Sequence, residues 1–254
     1  MPKFLAAAAA ALFLLGSCAP RAGGDWATFQ NHFIDQYFEL NPTFAAYQGR
    51  HEFDGRLPDW TEAGLTAQKD FLRTAIQDAE AFNNLTPQQD YERDYLVAVA
   101  RGNLFWLDTA DQPHTNPAFY MGSLSPSMYV TRPYAEPASR LRAYITYLQA
   151  VPAAVQQIRA NLRTPLPLPF IDYGRSAFGG LADYYLGDGK AAFASVEDAA
   201  LQTELNTASA AAADAMRSLA TWVTEQTPNA TQDFALGAER FAQMKAGAYF
   251  INTA

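Results

Sequence analysis

The sequence holds few of the side chains from which hydrolytic or redox centres are built: one cysteine and three histidines in 254 residues. A single cysteine excludes an internal disulfide. The histidines His32, His51 and His114 include no pair four residues apart, so the helical zinc motif with two histidines on one face is absent. Basic residues are outnumbered, with 18 Lys and Arg against 26 Asp and Glu for a net charge of −8. Nucleic-acid binding needs a clustered basic surface, and the scattered cations of this acidic chain exclude that partner. What the chain has in quantity is apolar and aromatic surface, 49% and 13% of residues, enough for a sizeable core.

The N-terminus reads as a targeting segment. Lys3 supplies a positive start and Phe4 to Leu15 an apolar run of twelve residues, short for a bilayer span. Residues 1–17 are therefore assigned as a signal peptide and left out of the fold. Leu15-Gly16-Ser17-Cys18 resembles a bacterial lipobox, in which the cysteine is acylated and becomes the first mature residue. An ordinary cleaved signal with an incidental cysteine, or an uncleaved anchor, are the alternatives. With Cys18 lipidated, the membrane is a partner, thiol catalysis is excluded, and residues 18–24 form a flexible tether. Ala19 stands where the lipoprotein pattern places an inner-membrane retention aspartate. The resemblance thus implies an outer-membrane lipoprotein facing the periplasm.

From residue 25 onward the apolar positions recur at threes and fours. Trp26, Phe29, Phe33, Tyr37 and Leu40 mark a first helix ended by Asn41-Pro42, and Thr61 to Phe82 a second. Thr86, Pro87 and Gln89 form the clearest start signal, a capping box with proline at the first helical position. Asp90, Glu92 and Asp94 complement the dipole of that third helix and so have a structural explanation. Between the first two helices, residues 49–59 carry two glycines, a proline and a dense set of charges. This is a loop, and His51, Glu52 and Asp54 are its candidate ligand-facing residues. Gly55 occupies the position where a zinc helix would need its second histidine.

Residues 116–136 contain prolines at 117, 126 and 133 and tyrosines at 120, 129 and 134. Proline excludes a regular helix there, so an irregular connection with short helical pieces is expected. Pro137 opens a helix, and Pro152 is expected to end it and open another, with a turn or kink between. Thr164 to Pro169 reads as a stiff polyproline-like spacer. A helix from about Phe170 to Leu186, weakened at Gly179-Gly180, follows. Ser195 with Asp198 then caps a long alanine-rich helix, and Leu236 begins a last one. The fold class is all-α: an array of antiparallel helices with a long irregular Pro/Tyr-rich connection, residues 25–254 forming one domain.

Four segments together resemble a known family. They are Asn41-Pro42 with Gly49-Arg50-His51-Glu52-Phe53-Asp54 and Leu57-Pro58-Asp59; Arg132-Pro133-Tyr134-Ala135 with Arg140-Leu141; Leu148 to Pro152 leading into Ala160-Asn161-Leu162; and Leu236-Gly237-Ala238-Glu239-Arg240-Phe241. The family is the bacterial domain of unknown function 885, whose members look like all-helical zinc metallopeptidases. The resemblance implies that this chain is the N-terminal half of a family-sized domain, with zinc and its His-Glu motif expected only in a C-terminal half. No catalytic or metal residue carries over. His51, Glu52, Asp54, Tyr120, Tyr129 and Tyr134 are expected to line one wall of a substrate cleft, inactive alone, with a peptide substrate or the C-terminal half as partner. The alternative is a helical lipoprotein that works as a binding module.

Overall fold

The computed structural model describes residues 25–247; the signal peptide, Cys18 and the tether lie outside the described residues. Among the described residues every multi-residue element is helical. The first is α1 (Trp26–Leu40), whose start is fixed by Asp25 accepting a hydrogen bond from the Thr28 amide. Asn41 then turns the chain into the short α2 (Pro42–Tyr47), which sequence periodicity did not announce. A 3-10 turn, His51–Phe53, carries the charged loop. Helix α3 (Glu62–Glu80) is capped by Thr61, and α4 (Pro87–Leu104) by the Thr86/Gln89 capping box, as expected. The end of α4 widens into a π turn over Phe105–Thr109.

The Pro/Tyr-rich stretch is irregular with short helical pieces, as the prolines dictate: α5 (Gln112–Thr115), a 3-10 turn over Pro117–Tyr120, and α6 (Ser127–Thr131). The next element corrects an expectation. Helix α7 (Pro137–Asn161) runs unbroken through Pro152. An interior proline costs about 3 kcal/mol through the lost hydrogen bond and a ring clash. Leu148, Val151 and Val155, all buried around it, each return roughly 1.5–3 kcal/mol of burial free energy. Packing therefore outweighs the local penalty.

Helix α8 (Leu168–Leu186) follows, and α9 (Asp188–Ala191) comes directly after it. Residues 164–167 are more than a spacer. Leu166 is buried, and its carbonyl accepts from the Thr231 amide while Leu168 donates to the Thr231 carbonyl. The cap of α10 (Ala199–Thr224) is Asp198 alone, accepting from the amides of Ala200 and Leu201; Ser195 has no part in it. Helix α11 (Ala238–Gly247) comes last.

The main core is built by α7, α8 and α10. On α10, Ala208, Ser209, Ala212 and Ala213 are buried, and their small side chains permit close approach to α8 and α7. A second cluster joins α1, α3 and α4 through Trp26, Phe29, Ala79, Leu96 and Val97. A third ties Met244 of α11 to Phe105 and Ala110. No described helix is long and apolar enough to cross a membrane.

Candidate functional site

The charged loop is held against the main core from below. Phe53 is buried, and the guanidinium of Arg56 lies over its ring at 4.9 Å. Gly55 has φ +82°, and a β-carbon there would sit 2.6 Å from Thr146 Cγ2 on α7. Only glycine fits both the left-handed backbone and that approach. Its amide donates to the Tyr129 hydroxyl at 2.9 Å, fastening the loop to the stretch that precedes α7.

Three of the expected cleft residues converge on this loop. The Tyr134 hydroxyl donates to Asp54 Oδ2 at 2.8 Å, and His51 Nδ1 lies 3.3 Å from Asp54 Oδ1. The His51 and Tyr134 rings stack at 3.9 Å with 6° between planes. The side chain of His51 is 38% exposed and that of Asp54 14%. Burial, and then the hydrogen bond to the Asp54 carboxylate, push the Tyr134 phenol well above its ordinary range. It is therefore a fixed donor and not a base.

The other three are placed differently. Glu52 turns outward to Arg50, and the hydrogen bond from its own backbone amide, followed by Arg50, holds its carboxyl below the usual range. Tyr129 is buried beneath the loop, and burial pushes its phenol up to about 12. Tyr120 stands apart and has no exposed surface. Its hydroxyl donates to the Pro113 carbonyl at 2.6 Å and accepts from Asn161 Nδ2 at 3.2 Å. Such a phenol supports the core and faces no cleft among the described residues.

Beside Tyr129 opens a cavity of about 430 Å3 between α2, the 122–128 segment and the Tyr147 ring. It is lined by the hydroxyl side chains of Thr43, Ser123, Ser125 and Ser127 and by the rings of Phe44 and Tyr47, with no charged side chain. Thr43 donates to Ser123 at 3.1 Å.

A second polar centre escaped sequence reasoning. His114 is buried, with Nε2 at 2.7 Å from Glu62 and Nδ1 hydrogen-bonded to Asp111. Asp111, in the left-handed conformation at φ +50°, also pairs with Arg163 at 2.9 Å. This group ties the start of α3 to α5 and to the residues after α7. Only the Asp111–His114 spacing of three was legible locally. Glu62 and Arg163 each lie about fifty positions away, beyond any periodic pattern.

A hydrolytic zinc site needs about three protein ligands and an open position. His32 is on α1, His51 on the loop and His114 in the buried centre, and no described group of three or more His, Cys, Asp or Glu side chains could hold a metal ion. The residues described do not fit zinc. The His51–Asp54–Tyr134 group contains no Ser, Thr, Cys or Lys side chain. Chemically it is an oriented hydrogen-bonding face.

Three comparisons bear on this geometry. A family model described as a bacterial protein of unknown function, DUF885, matches residues 42–250. Among solved structures, a "putative lipoprotein of unknown function" from Shewanella oneidensis superposes with a TM-score of 0.71 at 21% identity, covering 89% of this chain and 39% of that one. At that identity the likeness shows the fold, and the present chain spans about two fifths of that protein's length. No curated protein matches the sequence.

Proposed function

The chain belongs to the bacterial DUF885 family, and from that premise we propose that it is the N-terminal scaffold and substrate-channel half of an exported, membrane-anchored, metallopeptidase-like lipoprotein, inactive by itself. The carrying observation is that nearly the whole helical array corresponds to about two fifths of a longer chain of the same fold. On this reading zinc belongs to the remaining part. The His51–Asp54–Tyr134 face is the wall contributed by this half, rigid because Gly55 and Tyr129 clamp its loop to the core. Export and lipidation at Cys18, with an outer-membrane position facing the periplasm, rest on the lipobox-like Leu15-Gly16-Ser17-Cys18.

The test is metal analysis after purification with zinc, together with a peptide-library assay of this chain alone. Expected are no stoichiometric zinc and no hydrolysis, with both appearing when a polypeptide corresponding to the remaining three fifths of the Shewanella relative's fold is supplied. Tightly bound zinc with hydrolysis by this chain alone would overturn the reading. The second reading, a binding module, is favoured by the exposed rings of Phe44 and Tyr47 that line the cavity. Tyr120 is fully buried and lies outside that surface, whereas Tyr129 takes part only as a wall of the cavity.

A further inference from the structure

We propose that the cavity beside Tyr129 is a binding site for a small, neutral, polyhydroxylated ligand, of the size and chemistry of an uncharged mono- or disaccharide. Its volume of about 430 Å3 falls within the range of roughly 300–1,000 Å3 that small-molecule sites occupy. The lining supplies two kinds of group. The first is the set of short hydroxyls of Thr43, Ser123, Ser125 and Ser127, each of which donates and accepts. Thr43 donates to Ser123, which leaves the Ser123 proton and the Thr43 lone pairs for a ligand. A polyol, whose own hydroxyls also do both, matches such a wall whichever way each proton points.

The lining is also aromatic, with Phe44, Tyr47, Tyr129 and Tyr147. Phe44 is 44% and Tyr47 50% exposed, so both rings reach solvent while lining the cavity. One face of Tyr47 is covered by the Arg132 guanidinium, 3.7 Å from the ring centroid, which also donates to the Tyr47 carbonyl at 3.0 Å. The ring is thereby held in place while half its surface stays in water. An aromatic face is electron-rich and takes the polarised C–H face of a sugar ring.

Charged and peptide ligands are disfavoured by the same lining. The lining residues are all uncharged, and the Arg132 guanidinium beside Tyr47 is stacked on its ring and bonded to its carbonyl, so a charged group buried against that lining would go largely uncompensated. A peptide that binds by strand addition needs a row of free backbone groups at a sheet edge. Here the surrounding backbone is already engaged: α2 and α6 are helical, the Leu124 amide donates to the Tyr120 carbonyl, and the Leu124 carbonyl accepts from Tyr147 and Tyr185. The assignment stands apart from the peptidase-like reading, which fails or survives on zinc and hydrolysis.

Saturation-transfer difference NMR on the purified chain tests the assignment, with methyl β-glucoside and N,N′-diacetylchitobiose as neutral probes. Glucuronate and a doubly capped leucine dipeptide serve as controls. Expected is transfer from aromatic protein protons to ring C–H protons of a neutral sugar, with Kd at or below about 1 mM, near −4 kcal/mol. Tyr47→Ala should weaken binding tenfold or more and Ser125→Ala/Ser127→Ala several-fold. Tyr91→Ala, removing an exposed tyrosine on α4, should have no effect. All four substituted side chains are exposed, so folding is retained and far-UV circular dichroism checks it. Transfer to neither sugar, binding indifferent to Tyr47→Ala, or tighter binding of either control would overturn the proposal.

Discussion

The side chains of the charged loop are ordered by one glycine more than by their own ion pairs. Gly55 combines a positive φ with a β-carbon position already filled by Thr146, whereas Gly49, at φ +94°, has no atom within 4 Å of that position. A left-handed non-glycine residue costs on the order of 1–3 kcal/mol. Gly49→Ala should lose about that much and Gly55→Ala distinctly more, since the loop must also lift away from α7. Urea midpoints of the two variants decide it: equal losses would show that contact with Thr146 adds nothing. The ion pairs here, such as Arg56 with Glu39 at 2.8 Å, join half-exposed groups and contribute little in water. Sequence alone singled out this loop together with His51, Asp54 and Tyr134, which the structure brings into contact. It could not separate them from Glu52 and Tyr120, because that sorting depends on which face the 3-10 turn presents and on what packs beneath.

A second residue-scale effect is a pH dependence at Glu92. Its carboxylate accepts from Gln88 at 2.9 Å, from Trp26 Nε1 at 3.0 Å and from Gln30 at 3.1 Å, so it links α4 to α1. Those bonds, Gln88 first, hold its carboxyl below the ordinary 4.5. A depressed folded-state value means that the contribution is fully present above the unfolded-state value and is lost as pH falls through the folded-state value. Urea midpoints measured between about pH 6 and pH 3 should therefore fall more steeply for the wild type than for Glu92→Gln. Identical slopes would remove Glu92 from the account.

For the helices, legibility follows the range of the determining interaction. The Thr86/Gln89 capping box and the Asp198 cap are set by neighbours within four positions, and the structure has both. Pro152 was misleading for the opposite reason: its local penalty is real, and only the buried surroundings of α7, contributed by distant segments, override it. Gly179-Gly180 is a similar case, since α8 passes through both without a break. A β-carbon at Gly180 would meet no atom within 4 Å, so the glycine serves no packing need. Gly180→Ala should therefore stabilise the protein by about 0.5–1 kcal/mol through the entropy of the unfolded chain. A rise in thermal midpoint checks this; a fall would mean that α8 needs flexibility there. The His114 centre lies at the far end of the same scale. Asp111 is local to His114, but Glu62 and Arg163 come from segments that meet it only after α3 and α7 have packed, so no local pattern encodes the whole group.

Across the whole molecule the apolar interior is divided. The large cluster of α7, α8 and α10 is separate from the smaller one that seats α1 on α3 and α4, with Ile76 of α3 packed against both. In the smaller cluster Trp26, Phe29 and Phe82 form a mutual aromatic triangle with centroids 5.3–5.4 Å apart. Beyond that triangle, α1 is held by Phe33 stacked on Phe71 at 5.2 Å and by the Glu92 bonds to Trp26 and Gln30, contacts that do not reach α7, α8 or α10, so its free energy of opening should lie below that of the global unfolding. Truncating a buried phenylalanine removes about 3–5 kcal/mol and a buried leucine about 2–5, yet the two losses should appear in different places. Phe29→Ala should raise amide hydrogen exchange along α1 and at the α3 and α4 positions facing it, while α7, α8 and α10 keep their protection. Leu148→Ala, at a wholly buried position of α7, should speed exchange throughout. Uniform loss of protection in Phe29→Ala would instead show that the two clusters unfold as one unit, with Ile76 coupling them.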